Sequence, residues 1–144
     1  MMRLNLLLSI MVESMSDART KAILLIAHGS RRDEANQDLV KLAAMLRERC
    51  EFGVVEYAYL ELAEPAIPEG AARCVQAGAA EVFMLPYFLS AGVHVQNDLE
   101  EFRNQFSQAY PEVRFRLCAH LGLHPLMLEI VLDRLNEPVD ESVE

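Results

Sequence analysis

Residues 22–30 have the sequence AILLIAHGS, and this stretch decides the fold. The six apolar residues from Ala22 to Ala27 are typical of a strand that is buried on both faces. The next three residues break the apolar run, and Ser30 with Asp33 matches a capping box. The stretch therefore predicts the first strand of a βα unit and the start of its helix.

The same order of apolar run, turn and amphipathic stretch recurs along the chain. Further strands are predicted at residues 54–60, 81–85 and 113–117, and further helices at 68–77, after 92, and from 125 to about 135. The last strand alternates apolar and basic residues, which indicates an edge strand with one wetter face. Four such units predict a three-layer, doubly wound α/β domain with a four-stranded parallel sheet and helices on both faces.

The length of 144 residues corresponds to one domain. We expect an N-terminal extension at 1–19, disordered or the product of an upstream start, a single domain at 20–136, and an acidic tail at 137–144. The apolar run at 4–12 is too short to span a membrane, which takes about 20 residues, and no signal-peptide cleavage site follows it. These features predict a cytoplasmic protein that does not associate with membranes.

Charge and cysteine usage exclude several classes of protein. The net charge of −9 argues against nucleic acid as a partner, because phosphate binding needs a basic face. The three cysteines are far apart, and the sequence has no CxxC motif. This pattern excludes a disulfide framework and a zinc ribbon, and it suits a reducing compartment. We expect the cysteines to be small buried residues.

The histidines fall where an α/β sheet binds its ligands. All four lie just past a predicted strand, and ligands of open α/β sheets bind at the carboxyl ends of the strands. His28, Glu61 and His94 are spaced 33 residues apart, which is about the length of one βα unit. Two imidazoles and one carboxylate suit divalent iron, cobalt, nickel or zinc.

Each of these residues also has an ordinary interpretation. A histidine in a loop is most often a surface residue, and Glu61 alone resembles a solvated acid at a strand end. His120 and His124 are separated by Gly122 in a predicted loop, so their rings need not share a face. Arg31 and Arg32 could be solvated, or they could grip carboxylates beside an anion-receptive helix start.

Four segments of the chain together resemble a known family. They are LLIAHGSR at 24–31, AYLELAEP at 58–65, LPYFLSAGVHVQND at 85–98 and LGLHP at 121–125. These segments resemble the motifs of the short CbiX/SirB-type class II tetrapyrrole chelatases. The resemblance covers roughly residues 21–136, and the segments follow in the family's order with compatible spacing.

The resemblance implies a chelatase-like α/β fold of flavodoxin-like topology and an enzyme that inserts a divalent metal into sirohydrochlorin. Co²⁺ would serve cobalamin synthesis and Fe²⁺ sirohaem synthesis, and a nickel-inserting branch exists. The metal is the substrate, and the reaction needs no organic cofactor and no ATP. Longer relatives have two such domains facing each other, so a homodimer is expected for a single domain.

The resemblance also assigns residues. It implies that His28, His94 and Glu61 bind the metal and carry the catalysis. The candidates for binding the tetrapyrrole are Ser30, Arg31, Arg32 and Gly92. Two departures from the family pattern are Arg32, where an acidic residue is commoner, and Ala66, where serine is common. Neither is a proposed ligand, so they affect only the contacts to the substrate.

Two other classes of function stay open from the sequence. A non-catalytic carrier of metal or tetrapyrrole would bind its ligand stoichiometrically without turnover. A histidine phosphatase carries its nucleophile in an Arg-His-Gly sequence after the first strand. Ala27 occupies the arginine position here, which counts against a phosphatase.

Overall fold

The computed structural model describes residues 5–7 and 21–139. Between residues 21 and 139, four strands alternate with four helices. They are β1 (Lys21–Ala27), α1 (Asp33–Arg49), β2 (Val54–Tyr59), α2 (Ile67–Gln76), β3 (Glu81–Pro86), α3 (Val93–Ala109), β4 (Arg114–Leu117) and α4 (Pro125–Asn136). The predicted extension at 1–19, apart from its residues 5–7, and the tail from residue 140 onward lie outside the described residues.

The four strands form one parallel sheet in the order β2-β1-β3-β4. This order belongs to the flavodoxin-like class of doubly wound sheets, and it confirms the predicted fold. Strand β1 lies inside the sheet, where Ile23 pairs with Val55 of β2 and with Phe83 of β3. As predicted, β4 is an edge strand, with Arg114 and Arg116 exposed and Phe115 buried.

The apolar run of β1 supplies two cores, one on each face of the sheet. Leu24 and Ile26 belong to the core that includes buried residues of α2 and α3. Leu25, between them in sequence, belongs to the second core with Leu39 of α1. Because successive side chains of a strand point to opposite faces, a strand covered on both faces must be apolar throughout. The continuous run at 22–27 has this physical origin.

The predicted capping box at the start of α1 is wrong. The helix begins at Asp33, its N-cap residue is Arg32, and no side chain caps it. The Ser30 hydroxyl lies two residues before the N-cap and accepts a hydrogen bond from the Arg32 backbone N–H at 3.0 Å. Ser30 therefore closes a turn after β1 instead of capping the helix.

Helix α4 differs from the other three helices in having no buried residue. Its exposed apolar side chains are Leu126, Leu128, Ile130, Val131, Leu132 and Leu135. The apolar pattern predicted the helix but not its surroundings. Exposed apolar patches of this kind mark interaction surfaces.

The cysteines are free thiols in the interior or partly buried. Cys74 is fully buried in the core, and Cys50 and Cys118 are half-buried. Burial raises the pKa of the Cys74 thiol to about 12, with a smaller contribution from the nearby Glu56. Cys74 is therefore protonated and packs as a small apolar residue. Among the described residues, no helix is long and apolar enough to cross a membrane.

Candidate functional site

The candidate site lies at the carboxyl edge of the sheet, where the loops after β1 and β2 are joined by hydrogen bonds. The Leu60 N–H donates to the Ala27 carbonyl at 2.9 Å, and the Glu61 N–H donates to the His28 carbonyl at 2.9 Å. Backbone hydrogen bonding between the two segments therefore continues beyond the last pair of the strand ladder, Ala27 and Tyr59. This continuation places the backbones of His28 and Glu61 side by side.

Gly29 is required by this close approach. Its φ is +89°, which L-residues with a side chain rarely adopt, and a Cβ there would overlap the Glu61 carbonyl oxygen. On the other side of the contact, Leu62 also has a positive φ, of 64°. The loops after β1 and β2 therefore both turn sharply at the point where they meet. Strained backbone conformations of this kind cluster at functional sites.

The ring of His28 is held by an aromatic partner. Phe88 stacks on it with a centroid distance of 4.3 Å and an interplanar angle of 28°. Phe88 is only 4% exposed, while His28 is exposed. The Phe88 carbonyl accepts a hydrogen bond from the Leu121 N–H at 3.1 Å, and this bond links the loop after β4 to the loop after β3. The sequence did not single out Phe88, because an aromatic residue in an apolar loop reads as ordinary core.

Glu61 faces helix α3 across a cavity of about 370 Å³. Asp98 and Glu101 of α3 also line this cavity. His94 is the second residue of α3, and residues four apart lie on one face of a helix, so His94 shares the face of Asp98. The cavity thus carries three carboxylates beside an imidazole-bearing helix end, which favours a cation over an anion.

The three predicted ligands are brought to one edge but do not form a compact ligand set. Among residues 5–7 and 21–139, no three His, Cys, Asp or Glu side chains are grouped closely enough to hold a metal ion. His28 and Glu61 are joined through their backbones, whereas His94 is exposed at the start of α3. Side-chain rotation of exposed groups is fast, so the arrangement is open rather than preformed.

A second cavity, of about 340 Å³, lies along the first turn of α1. Ser30 and Arg31 line it together with Tyr59 of β2. The Tyr59 hydroxyl donates a hydrogen bond to the Asn36 carbonyl at 2.6 Å. Burial raises the pKa of the Tyr59 phenol, with smaller contributions from Tyr57 and Asp33, so the hydroxyl keeps its proton. Sequence reasoning missed Tyr59, which resembles any strand residue.

The remaining predicted residues occupy different positions. Arg32 is the exposed N-cap residue of α1, and Gly92 is the exposed N-cap residue of α3, where an added Cβ would meet no atom within 4 Å. His124 is the N-cap residue of α4, and its Nδ1 accepts a hydrogen bond from the Leu126 N–H at 3.1 Å. His120 is half-buried beside Gly122. His124 thus has a structural role in its helix.

Comparison with known proteins agrees with the fold and the motifs. A family model described as CbiX matches residues 22–138. The sirohydrochlorin cobaltochelatase of Priestia megaterium is 32% identical over 126 residues, which cover 88% of this chain and 41% of that protein. The chloroplastic sirohydrochlorin ferrochelatase of Arabidopsis thaliana is 36% identical over 113 residues, which cover 78% of this chain and 50% of that protein. This chain therefore spans about half the length of these relatives.

Among solved structures, the sirohydrochlorin chelatase SirB from Bacillus subtilis subspecies spizizenii, in complex with cobalt, superposes with a TM-score of 0.75 at 28% identity. The superposition covers 81% of this chain and 50% of SirB. The chain thus has the fold of one half of that molecule.

We expect Gly29→Ala to destabilise the protein by more than its backbone conformation alone explains. The matched control is Gly78→Ala, because Gly78 has a similar φ of +91° and no atom within 4 Å of an added Cβ. The control should lose about 1–3 kcal/mol of unfolding free energy through strain, and Gly29→Ala should lose clearly more through its clash with Glu61. Urea unfolding measures both. Equal losses would show that the contact between the two loops is unimportant.

Proposed function

We propose that this chain, which belongs to the CbiX family, inserts a divalent metal ion, Co²⁺ or Fe²⁺, into sirohydrochlorin. The observation that carries the proposal is the backbone pairing of His28 with Glu61 beside the face of α3 that begins at His94. This pairing brings an imidazole and a carboxylate to one sheet edge that a second imidazole also borders. The names of the relatives support both metals, cobalt in one case and iron in the other.

The metal substrate is bound loosely by His28 and His94. Insertion requires a metal that can leave its protein ligands for pyrrole nitrogens, so a compact closed ligand set would oppose the reaction. Two neutral imidazoles leave coordination positions for water and for the incoming macrocycle. The open arrangement at this edge supports such a role. Phe88, stacked on one face of the His28 ring, restricts the directions from which the metal can approach it.

Glu61 accepts the two protons that leave the macrocycle one at a time, and it passes each to the solvent to which it is exposed. Sirohydrochlorin carries two N–H protons at its centre, and both must depart as the metal enters. A carboxylate beside the site serves as the general base, or it completes the metal's coordination before transfer. The neighbouring Asp98 and Glu101 add negative charge to the same cavity and favour entry of a divalent cation.

The tetrapyrrole, a flat polyanion, binds on the side of the site that carries Ser30, Arg31 and Arg32, with Gly92 at the start of α3 leaving room for its rim. Both arginines are exposed next to the turn after β1. Guanidinium groups bind carboxylates through paired hydrogen bonds. Local positive charge is needed because the whole chain has a net charge of −9.

A second copy of the chain supplies the opposite wall of the cleft. The match to half of SirB supports this arrangement, since one domain corresponds to one half of a longer chelatase. Helix α4 supports it as well, because its apolar side chains are exposed over the whole length of the helix.

The protein acts in the cytoplasm, in agreement with its free thiols.

We expect His28→Ala and His94→Ala each to reduce metal insertion to the uncatalysed rate, because each removes one of two metal-binding imidazoles. The measurement follows the absorption of sirohydrochlorin anaerobically with Co²⁺ or Fe²⁺. His120→Ala is the control, since His120 is half-buried and has no assigned role, and its rate should match the wild type.

Three results would contradict this function. Wild-type rates in both histidine variants would exclude the proposed metal ligands. Stoichiometric binding of metal or tetrapyrrole without turnover would indicate a carrier. Hydrolysis of a generic phosphoester without added metal would indicate a phosphatase.

Arg31→Ala should raise the KM for sirohydrochlorin by about 3–10-fold, in keeping with the loss of one partly exposed charged hydrogen bond. The kcat should change little, because Arg31 holds the rim of the substrate and not its reacting centre. Arg49→Ala is the control, since Arg49 lies in the last turn of α1, at the far end of that helix from Arg31. An unchanged KM in Arg31→Ala would remove this residue from the substrate site.

The double variant Leu128→Glu, Leu132→Glu should be monomeric and nearly inactive, because charge on the apolar face of α4 prevents association of two copies. Sedimentation equilibrium measures the mass of each variant. Leu123→Glu is the control, because Leu123 is fully exposed and precedes the helix, and it should sediment as the wild type does. A wild-type protein that is monomeric and fully active would disprove the dimer.

A further inference from the structure

The side chain of Asn36 makes a reciprocal pair of hydrogen bonds with one residue of the turn after β1. Its Oδ1 accepts from the Ser30 N–H at 2.9 Å, and its Nδ2 donates to the Ser30 carbonyl at 2.8 Å. The amide thus satisfies both backbone groups of Ser30, which is half-buried. Among the described residues, no backbone group forms a hydrogen bond with the backbone of Ser30, so the Asn36 side chain supplies the bonds that a neighbouring strand would make.

Asn36 is also fixed from the opposite side of the site. The backbone carbonyl of Asn36 accepts the hydrogen bond from the Tyr59 hydroxyl at 2.6 Å. Tyr59 is the last residue of β2, only 2% exposed, and lies two residues before Glu61. One residue of α1 therefore links the turn that follows His28 to the strand that leads to Glu61.

We propose that Asn36 is a positioning residue, which holds the turn after β1 so that His28 presents its imidazole to the metal beside Glu61. This inference rests on the proposed function, because the role of His28 as a metal ligand is part of it. Asn36 itself contacts neither the metal nor the tetrapyrrole. It acts by limiting the motion of the exposed segment that carries His28.

Groups that orient metal ligands without touching the metal typically change metal affinity by about 10–100-fold when they are replaced. Rigid support matters here because His28 is exposed, and the Glu61 hydrogen bond and the Phe88 stack hold His28 itself but not the turn that follows it. A purely structural role for Asn36 would instead appear as a loss of stability with unchanged metal affinity.

Asn36→Asp separates these possibilities. The variant keeps the size of the side chain and the acceptor for the Ser30 N–H, but it sets a carboxylate oxygen against the Ser30 carbonyl, and the two repel. By charge alone, a carboxylate near the site would strengthen binding of a cation. A carboxylate in the first turn of a helix also favours the helix dipole, so the fold should be retained. Weaker metal binding in Asn36→Asp would therefore show that His28 is no longer held in position, since the added negative charge alone would strengthen binding.

The experiment titrates the full-length protein with Co²⁺ by isothermal calorimetry, and measures kcat, KM and the thermal unfolding midpoint of each variant. For Asn36→Asp we expect Co²⁺ affinity and kcat to fall by about 10-fold or more, with the KM for sirohydrochlorin and the unfolding midpoint close to wild type. Asn104→Asp introduces the same change at an exposed site on α3, where the Asn104 side chain accepts a hydrogen bond from Arg103, and should behave as wild type.

Tyr59→Phe is the second variant, for the case that Asn36→Asp does not fold. It keeps the buried ring and removes only the hydrogen bond to Asn36, so it should weaken Co²⁺ binding in the same direction by a smaller factor. Co²⁺ affinity equal to or above wild type in the folded Asn36 variant, or in Tyr59→Phe if that variant alone folds, would overturn the role of Asn36. A wild-type protein that neither binds nor inserts Co²⁺ or Fe²⁺ would instead overturn the proposed function on which that role depends.

Discussion

The site depends on backbone hydrogen bonds between the loops after β1 and β2, which continue past the last ladder pair of the two strands. Within a parallel sheet, the ladder sets which residues of the two strands lie opposite one another. Because hydrogen bonding continues to the Glu61 N–H and the His28 carbonyl, that register also places these two residues of the candidate site side by side. The glycine at position 29 follows from this constraint, since any side chain there would collide with the second loop.

The strand order explains why residues distant in sequence meet at this edge. With β1 between β2 and β3, the loop after β1 contacts the loops after both neighbours. On one side it pairs with Glu61, and on the other the Tyr87 N–H donates to the Ile26 carbonyl at 2.7 Å and introduces Phe88. Phe88 then covers one face of the His28 ring. A functional edge at the interior strand of a doubly wound sheet thus needs no long loop to reach it.

Much of the fold could be predicted from local patterns, because the continuous apolar run of β1 permits only a strand covered on both faces. The convergence of His28 and Glu61 could be predicted as well, since parallel strands end at the same edge. The supports of the site could not be predicted. Phe88 and Asn36 act through contacts between elements, which no local periodicity encodes. The predicted capping box was wrong because the motif specifies only residue types. In the structure, the Ser30 hydroxyl accepts a hydrogen bond within the turn after β1 and does not cap the helix.

Helix α4 is an element that the sequence pattern predicted correctly while its surroundings could not be predicted. Its apolar residues predicted the helix, and the expectation that apolar residues are covered holds for α1, α2 and α3 but not for α4. An isolated helix of 12 residues is marginal in water, since short helices are stabilised chiefly by packing. The hydrogen bond from Leu126 to His124 stabilises only its first turn. Among residues 5–7 and 21–139 of a single chain, no packed apolar surface covers this helix, so the local pattern could predict the helix itself but not what stabilises it.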